Sequence, residues 1–148
     1  MGNLVEKLKS LFSGRQLELV LVGLEGAGKS TLAAQLSFER PTEKGPTIGV
    51  DIKTLKRENV TMKVWDLGGQ VQYRSEWAKY AIGCDAIIYV LDTHDKARTS
   101  TAKFELHKML DSEYMKGIPL LVIGNKIDLP GNLSKNEIIE RNLIRTWS

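Results

Sequence analysis

Gly23-Leu24-Glu25-Gly26-Ala27-Gly28-Lys29-Ser30 carries the most definite chemistry in this chain. Its spacing, G-x-x-x-x-G-K-[ST], suits a phosphate cradle, and it stands between a predicted strand and a predicted helix, as that cradle requires. Glycines let successive backbone N–H groups close around phosphate oxygens without a Cβ in the way. The helix that follows turns its positive end toward the anion. Lys29 is placed to reach the β- and γ-phosphates. Ser30 offers a hydroxyl to a hydrated Mg2+, and Thr31 continues the nucleotide-binding stretch. The bland alternative, a glycine-rich turn with an exposed lysine, is disfavoured by the flanking elements.

A phosphate loop does not choose its base. Asn125-Lys126-Ile127-Asp128 follows a second apolar strand. Guanine, unlike adenine, presents two adjacent donors, and one carboxylate, that of Asp128, can accept both. Opposite adenine the same carboxylate would be desolvated and unanswered. Asn125 can tie neighbouring loops together, and the Lys126 stem can lie along the ring. Between these two motifs stands Trp65-Asp66-Leu67-Gly68-Gly69-Gln70. Asp66 emerges at the carboxyl end of a strand, where ligands of open α/β sheets sit, and can hold Mg2+ through water. Gly69 can bring an N–H against a γ-phosphate, and Gln70 can orient an attacking water. Upstream, Thr47 in Pro46-Thr47-Ile48-Gly49 can close over the metal. Taken singly, the last two segments also read as an ordinary turn and a strand entry.

The elements that must position these residues follow from patterning. Leu4, Val5, Leu8, Leu11 and Phe12 recur at helical spacing, so residues 1–14 read as an amphipathic helix ahead of a binding domain over 15–148. Leu17–Val22 is a β-rich run, followed by a helix over Lys29–Phe38. Strands around Val50-Ile52-Thr54 and Val60-Met62-Val64 form a hairpin through Arg57-Glu58-Asn59. A helix ends near Gly83, and the continuous apolarity of Ala86–Leu91 predicts a central parallel strand covered on both faces. A helix through Phe104, Leu106, Met109 and Leu110 comes next, then a buried run over Ile118–Ile123 and a last helical piece over Glu137–Leu143. Strands alternating with helices mean an α/β sheet.

With 148 residues, 42% of them apolar and 26% charged, the chain has the composition of one ordinary globular domain. No apolar run approaches the roughly 18 residues of a membrane span. The single cysteine, Cys84, and the lack of a leader pattern argue against secretion. A net charge of +3 argues against nucleic acid as a partner. Cys84 reads as a small core residue. His94 and His107 lack clustered metal ligands; Arg74 and Arg98 could partner phosphate but are read in preference as solvated surface charges, with a transition-state arginine expected from a separate activating protein.

Jointly the four motifs and the amphipathic start resemble the small GTPases, specifically the ADP-ribosylation-factor (Arf) and Arf-like family, over effectively the whole chain. Arg74-Ser75-Glu76-Trp77 and Asn59-Val60-Thr61 resemble its lysosome-associated branch. The resemblance implies a P-loop NTPase fold: a three-layer, small GTPase-like architecture whose mostly parallel central sheet carries one antiparallel edge hairpin strand. It implies a switch between GDP and GTP forms with slow hydrolysis and a role in membrane traffic. Its implied cofactor is Mg2+, and its implied partners are an exchange factor, a GTPase-activating protein and effectors at the switch regions. It further implies that the hairpin, roughly Val50 to Trp65, shifts register and expels the N-terminal helix toward a membrane, with the protein cytoplasmic and reversibly bound to endomembranes such as Golgi or lysosome. A two-residue shift keeps the same side chains on the core face.

Some positions depart from the family pattern. Met1-Gly2 resembles an N-myristoylated start, but Glu6 stands where Ser or Thr is usual, which leaves both states of Gly2 open. Trp65 and Tyr80 match the family's apolar effector cluster, whereas Val50 replaces an aromatic; all three also read as core residues of the hairpin. After Leu143 the sequence shows no counterpart of the family's usual last strand, base-contacting loop and helix, from which lower stability and weaker nucleotide binding are expected. Two rival readings are a nucleotide-holding scaffold that does not cycle and a P-loop nucleotide kinase. Gln70 speaks against the first, and the absence of an arginine-rich lid speaks against the second.

Overall fold

A computed structural model describes residues 16–36, 48–57, 60–126, 131 and 133–140. Five strands lie in the order β2-β3-β1-β4-β5. They are β1 (Gln16–Val22), β2 (Val50–Arg57), β3 (Val60–Leu67), β4 (Ala86–Asp92) and β5 (Leu120–Asn125). β1 runs parallel to both β3 and β4, and β4 parallel to β5, while β2 alone is antiparallel, on β3. The mostly parallel sheet with one antiparallel edge strand is therefore as expected. The helices are α1 (Lys29–Leu36), α2 (Val71–Arg74), α3 (Trp77–Ala81), α4 (Thr99–Leu110) and α5 (Lys135–Glu140).

Strand periodicity sorts the apolar residues onto two faces. Leu17, Leu19 and Leu21 of β1 join Ile88 and Val90 of β4, with Leu32, Ala33 and Leu36 of α1 closing over them. The alternate residues Val20, Val22, Ile87, Tyr89 and Leu91 face the other way, under Trp77 and Ala81 of α3 and Ala102, Leu106, Met109 and Leu110 of α4. Both faces of β4 are thus buried, which is why its sequence is a continuous apolar run rather than an alternating one. Each such aliphatic side chain contributes roughly 1.5–3 kcal/mol by leaving water. The Tyr89 hydroxyl escapes an unpaired burial by donating to the Ala102 carbonyl at 2.8 Å, and its pKa is pushed up by that burial.

Two expectations need correction. The helix expected to run to Gly83 is two short ones, interrupted at Ser75-Glu76. Its ends are anchored elsewhere: Arg74 Nε donates to the Gly69 carbonyl at 2.9 Å and the Trp77 indole to the Gly68 carbonyl at 3.0 Å. These tertiary bonds fix the two turns separately. The run Ile118–Ile123, expected to be buried, is a half-buried strand that starts at Leu120, and Leu121 is 38% exposed. β5 is the end strand among the described residues, so it has a neighbour on one side only. Cys84 is buried as expected, and burial pushes its thiol up to about 11. The amphipathic helix 1–14, the turn at 58–59, the end of the helix read to Phe38 and the residues after Glu140 lie outside the described residues.

Candidate functional site

Because β1, β3, β4 and β5 are parallel, their carboxyl ends open onto one edge of the sheet, and the loops that follow them converge there. The loop after β1, Gly23–Gly28, opens α1, and Leu32 N–H donates to the Gly28 carbonyl at 2.9 Å. Lys29, in the first turn, is only 6% exposed. Its ammonium donates to the carbonyls of Gly23 (2.9 Å) and Leu24 (3.0 Å), spanning the loop's mouth. Burial lowers its pKa to about 8, against the opposing pull of the Asp66 carboxylate. A lysine kept at such cost is a functional-site signature.

Asp66, at the end of β3, is wholly buried, and Ser30 Oγ donates to its Oδ2 at 2.5 Å. A hydroxyl and a carboxylate on one spot form the hard-oxygen donor set that Mg2+ prefers, so these two residues fit the metal. One turn on, Gly69 lies against the phosphate loop, where the Glu25 N–H donates to its carbonyl at 3.2 Å. A Cβ on Gly69 would come within 2.4 Å of the Glu25 nitrogen and 2.5 Å of the Gly23 oxygen, so only glycine permits this approach. Gln70 caps α2 with its backbone, and its Oε1 accepts from Gln72 Nε2 at 2.8 Å.

At the other end of the site, Asn125 Nδ2 donates to the Ala27 carbonyl at 2.8 Å, which ties the loop after β5 to the phosphate loop. The contact is close enough that a Cβ on Gly28, whose φ is +97°, would collide with that amide at 2.2 Å. Lys126 takes the left-handed φ of 62° and sends its ammonium to Asp92 Oδ2 at 2.8 Å. The structure therefore brings together Gly23, Leu24, Glu25, Gly26, Ala27, Gly28, Lys29, Ser30, Asp66, Gly69, Asn125 and Lys126, with Thr31 exposed on α1 beside them. Thr47 and Asp128 lie outside the described residues. Trp65 and Tyr80 meet with ring centroids 6.2 Å apart and planes tilted by 38°, and Tyr80 and the nearby Ile52 are exposed.

Both arginines read as solvated charges prove otherwise. Arg74 has only 8% of its side chain exposed; besides the Gly69 carbonyl it pairs with Glu105 of α4 at 3.7 Å. Burial here is compensated by one hydrogen bond and one ion pair, which composition cannot reveal. Arg98 donates through Nη2 to the Glu25 carbonyl at 2.8 Å and through Nε to Asp95 Oδ2 at 2.6 Å. Sequence reasoning also missed Asp92 and Thr93. Thr93 Oγ1 donates to the Asn125 carbonyl at 2.6 Å. Their signal was available: polar residues at the carboxyl end of a buried parallel strand.

The profile of the ADP-ribosylation factor family matches residues 4–146. ADP-ribosylation factor-like protein 8b of Arabidopsis thaliana is 43% identical over 138 residues, which are 93% of this chain and 75% of that protein. Among solved structures, the Arl6 BBS3 small GTPase from Trypanosoma brucei, with the bound nucleotide analogue GppNp, superposes with a TM-score of 0.76 at 30% identity. The match covers 86% of this chain and 77% of that one.

Proposed function

We propose, because the chain belongs to the ADP-ribosylation factor family of small GTPases, that it is a guanine-nucleotide switch with slow hydrolysis that regulates membrane traffic. The observation that carries this reading is the Asn125 amide on the Ala27 carbonyl. A base-reading loop and a phosphate loop joined at 2.8 Å grip both ends of one nucleotide as a unit. Lys29 leaves its two loop carbonyls for the β- and γ-phosphates, an exchange that restores full charge-assisted bonding to a buried ammonium. Ser30 and Asp66, with Thr47, would hold Mg2+, which would supply neutralisation of charge developing on the phosphates. Gly69 offers its N–H to the γ-phosphate, and Gln70 turns from Gln72 to orient water. Asn125, Lys126 and Asp128 read guanine.

Chemistry of this kind is positioning and charge stabilisation, so the unaided rate is low and an activating protein accelerates it by about 10³- to 10⁵-fold. Exposed Ile52 and Tyr80, with Trp65 beside them, offer effectors an apolar surface next to the switch segments. The amphipathic spacing of Leu4, Val5, Leu8, Leu11 and Phe12 supports reversible membrane binding through residues 1–14, at the cytoplasmic face of endomembranes. The test is titration of fluorescent GDP and GTP analogues in magnesium buffer with ATP as competitor, followed by single-turnover hydrolysis with Gln70→Leu. Tight binding that ATP does not displace, and hydrolysis lost in the variant, are expected. Displacement by ATP, or a variant as fast as the parent, would overturn the reading.

A further inference from the structure

The segment that leaves β4, Asp92 to Arg98, belongs to none of the four motifs, yet it touches both ends of the site. Thr93 holds the Asn125 carbonyl, Asp92 holds the Lys126 ammonium, and Arg98 reaches across 73 positions of sequence to the phosphate loop. Asp92, Asp95 and Arg98, with Leu24 and Ala27, line a small cleft beside that loop. Arg98 is aimed by its own turn. The Asp95 side chain accepts the Arg98 backbone N–H at 3.2 Å and the guanidinium Nε at 2.6 Å, which leaves Nη2 pointing at the Glu25 carbonyl, 2.8 Å away. Two edges of one planar fork are used on two acceptors, a geometry that a lysine cannot copy.

Arg98 thus holds the Glu25–Gly26 peptide, and the peptide before it, Leu24–Glu25, is held separately, since the Glu25 N–H donates to the Gly69 carbonyl. A loop that must present successive N–H groups to phosphate gains from having its intervening carbonyls fixed away from the ligand, because a flipped peptide would turn an acceptor toward an anion. The Glu25 carboxylate contributes less to this arrangement: its Oε1 lies 3.9 Å from Arg98 Nη1 and the side chain is 44% exposed. Hydrogen bonding from Arg98 also keeps the Asp95 carboxyl below the usual carboxylate range, so the aiming group stays ionised at neutral pH.

We propose that Arg98, aimed by Asp95, is a positioning residue that clamps the Glu25 peptide of the phosphate loop and slows nucleotide release. The proposal rests on the reading of that loop as a guanine-nucleotide site, and its test keeps the two apart. Dissociation of a fluorescent GDP analogue in magnesium buffer is compared for the parent, Arg98→Ala, Arg98→Lys, Asp95→Asn and Lys96→Ala; the last removes an exposed charge from the same turn. Hydrogen exchange of the loop amides at Glu25–Gly28 is followed in parallel on nucleotide-free protein.

Release roughly three- to tenfold faster is expected for Arg98→Ala, in line with loss of one charge-assisted hydrogen bond at a partly exposed site. Arg98→Lys and Asp95→Asn should fall between it and the parent, and Lys96→Ala should stay within about twofold. Loop amides should exchange faster in Arg98→Ala while those of β4 do not change. Release from Arg98→Ala equal to that from Lys96→Ala, or unchanged loop exchange, overturns the clamp. Asp95→Asn decides the same question if Arg98→Ala does not fold. A parent that fails to bind GDP overturns the nucleotide reading, and the exchange data alone then decide whether Arg98 restrains the loop.

Discussion

The proposed phosphate end and the proposed base end of the site are built differently. The phosphate end stands on β1, whose neighbours β3 and β4 lie on either side, and its chemistry is sunk into the protein: Asp66 is wholly buried and Lys29 nearly so. The base end stands on β5, which among the described residues has a strand on one side only and residues that are half-buried or exposed. Burial holds the first in place. Polar links hold the second, from Asn125 to Ala27, Thr93 to Asn125 and Lys126 to Asp92. A preorganised anion site next to a base site suspended by hydrogen bonds implies that phosphate contacts supply most of the affinity and the base contacts most of the choice.

Stability gives the largest test of that contrast. Ile88, wholly buried in β4, should cost about 2–5 kcal/mol when cut to alanine, because a packed core cannot collapse around the cavity. Leu121 on β5, already 38% exposed, should cost less than about 1 kcal/mol. Denaturant unfolding of the two variants checks this, and equal losses would erase the distinction between the ends. Next in size, Lys29→Met keeps the apolar stem and removes the ammonium, so GDP affinity should fall about 100-fold while nucleotide-free stability holds or rises. Asn125→Ala should weaken GDP binding less, by about tenfold, and narrow the preference for GDP over ADP. A larger loss at Asn125 than at Lys29 would reverse the assignment of affinity and choice.

Much of this arrangement is legible in the residues. Gly23, Gly26 and Gly28 mark the loop because their spacing is local, and β4 is legible because burial on both faces demands an unbroken apolar run. The short helices at 71–74 and 77–81 are not, since the interruption depends on Gly68 and Gly69 carbonyls that arrive from outside the helix. Apolarity in β5 reads as burial, yet sequence does not say which strand ends the sheet. Arg74 and Arg98 look like surface charge for the same reason: their partners, Glu105 and the Glu25 carbonyl, are distant in the chain.

The smallest expected effect is a pH dependence confined to the phosphate end. Lys29 carries a pKa of about 8 in the folded, nucleotide-free protein, against 10.5 for an ordinary lysine. Folding therefore disfavours its charged form. The resulting penalty is fully present below pH 8 and fades as pH rises from 8 to 10.5, where the native lysine is neutral and the unfolded one still charged. Nucleotide-free protein should accordingly gain stability across that window, and Lys29→Met should not. Bound phosphates favour the ammonium, so binding above pH 8 must take up a proton. GDP affinity should therefore fall by a few fold as pH rises from 7 to 9 and the free lysine loses its charge. Calorimetry at pH 8 in buffers of different ionisation enthalpy should register net proton uptake as GDP binds. A slope retained in Lys29→Met would detach the titration from this lysine, and affinity flat from pH 7 to 9 would remove the pH dependence altogether.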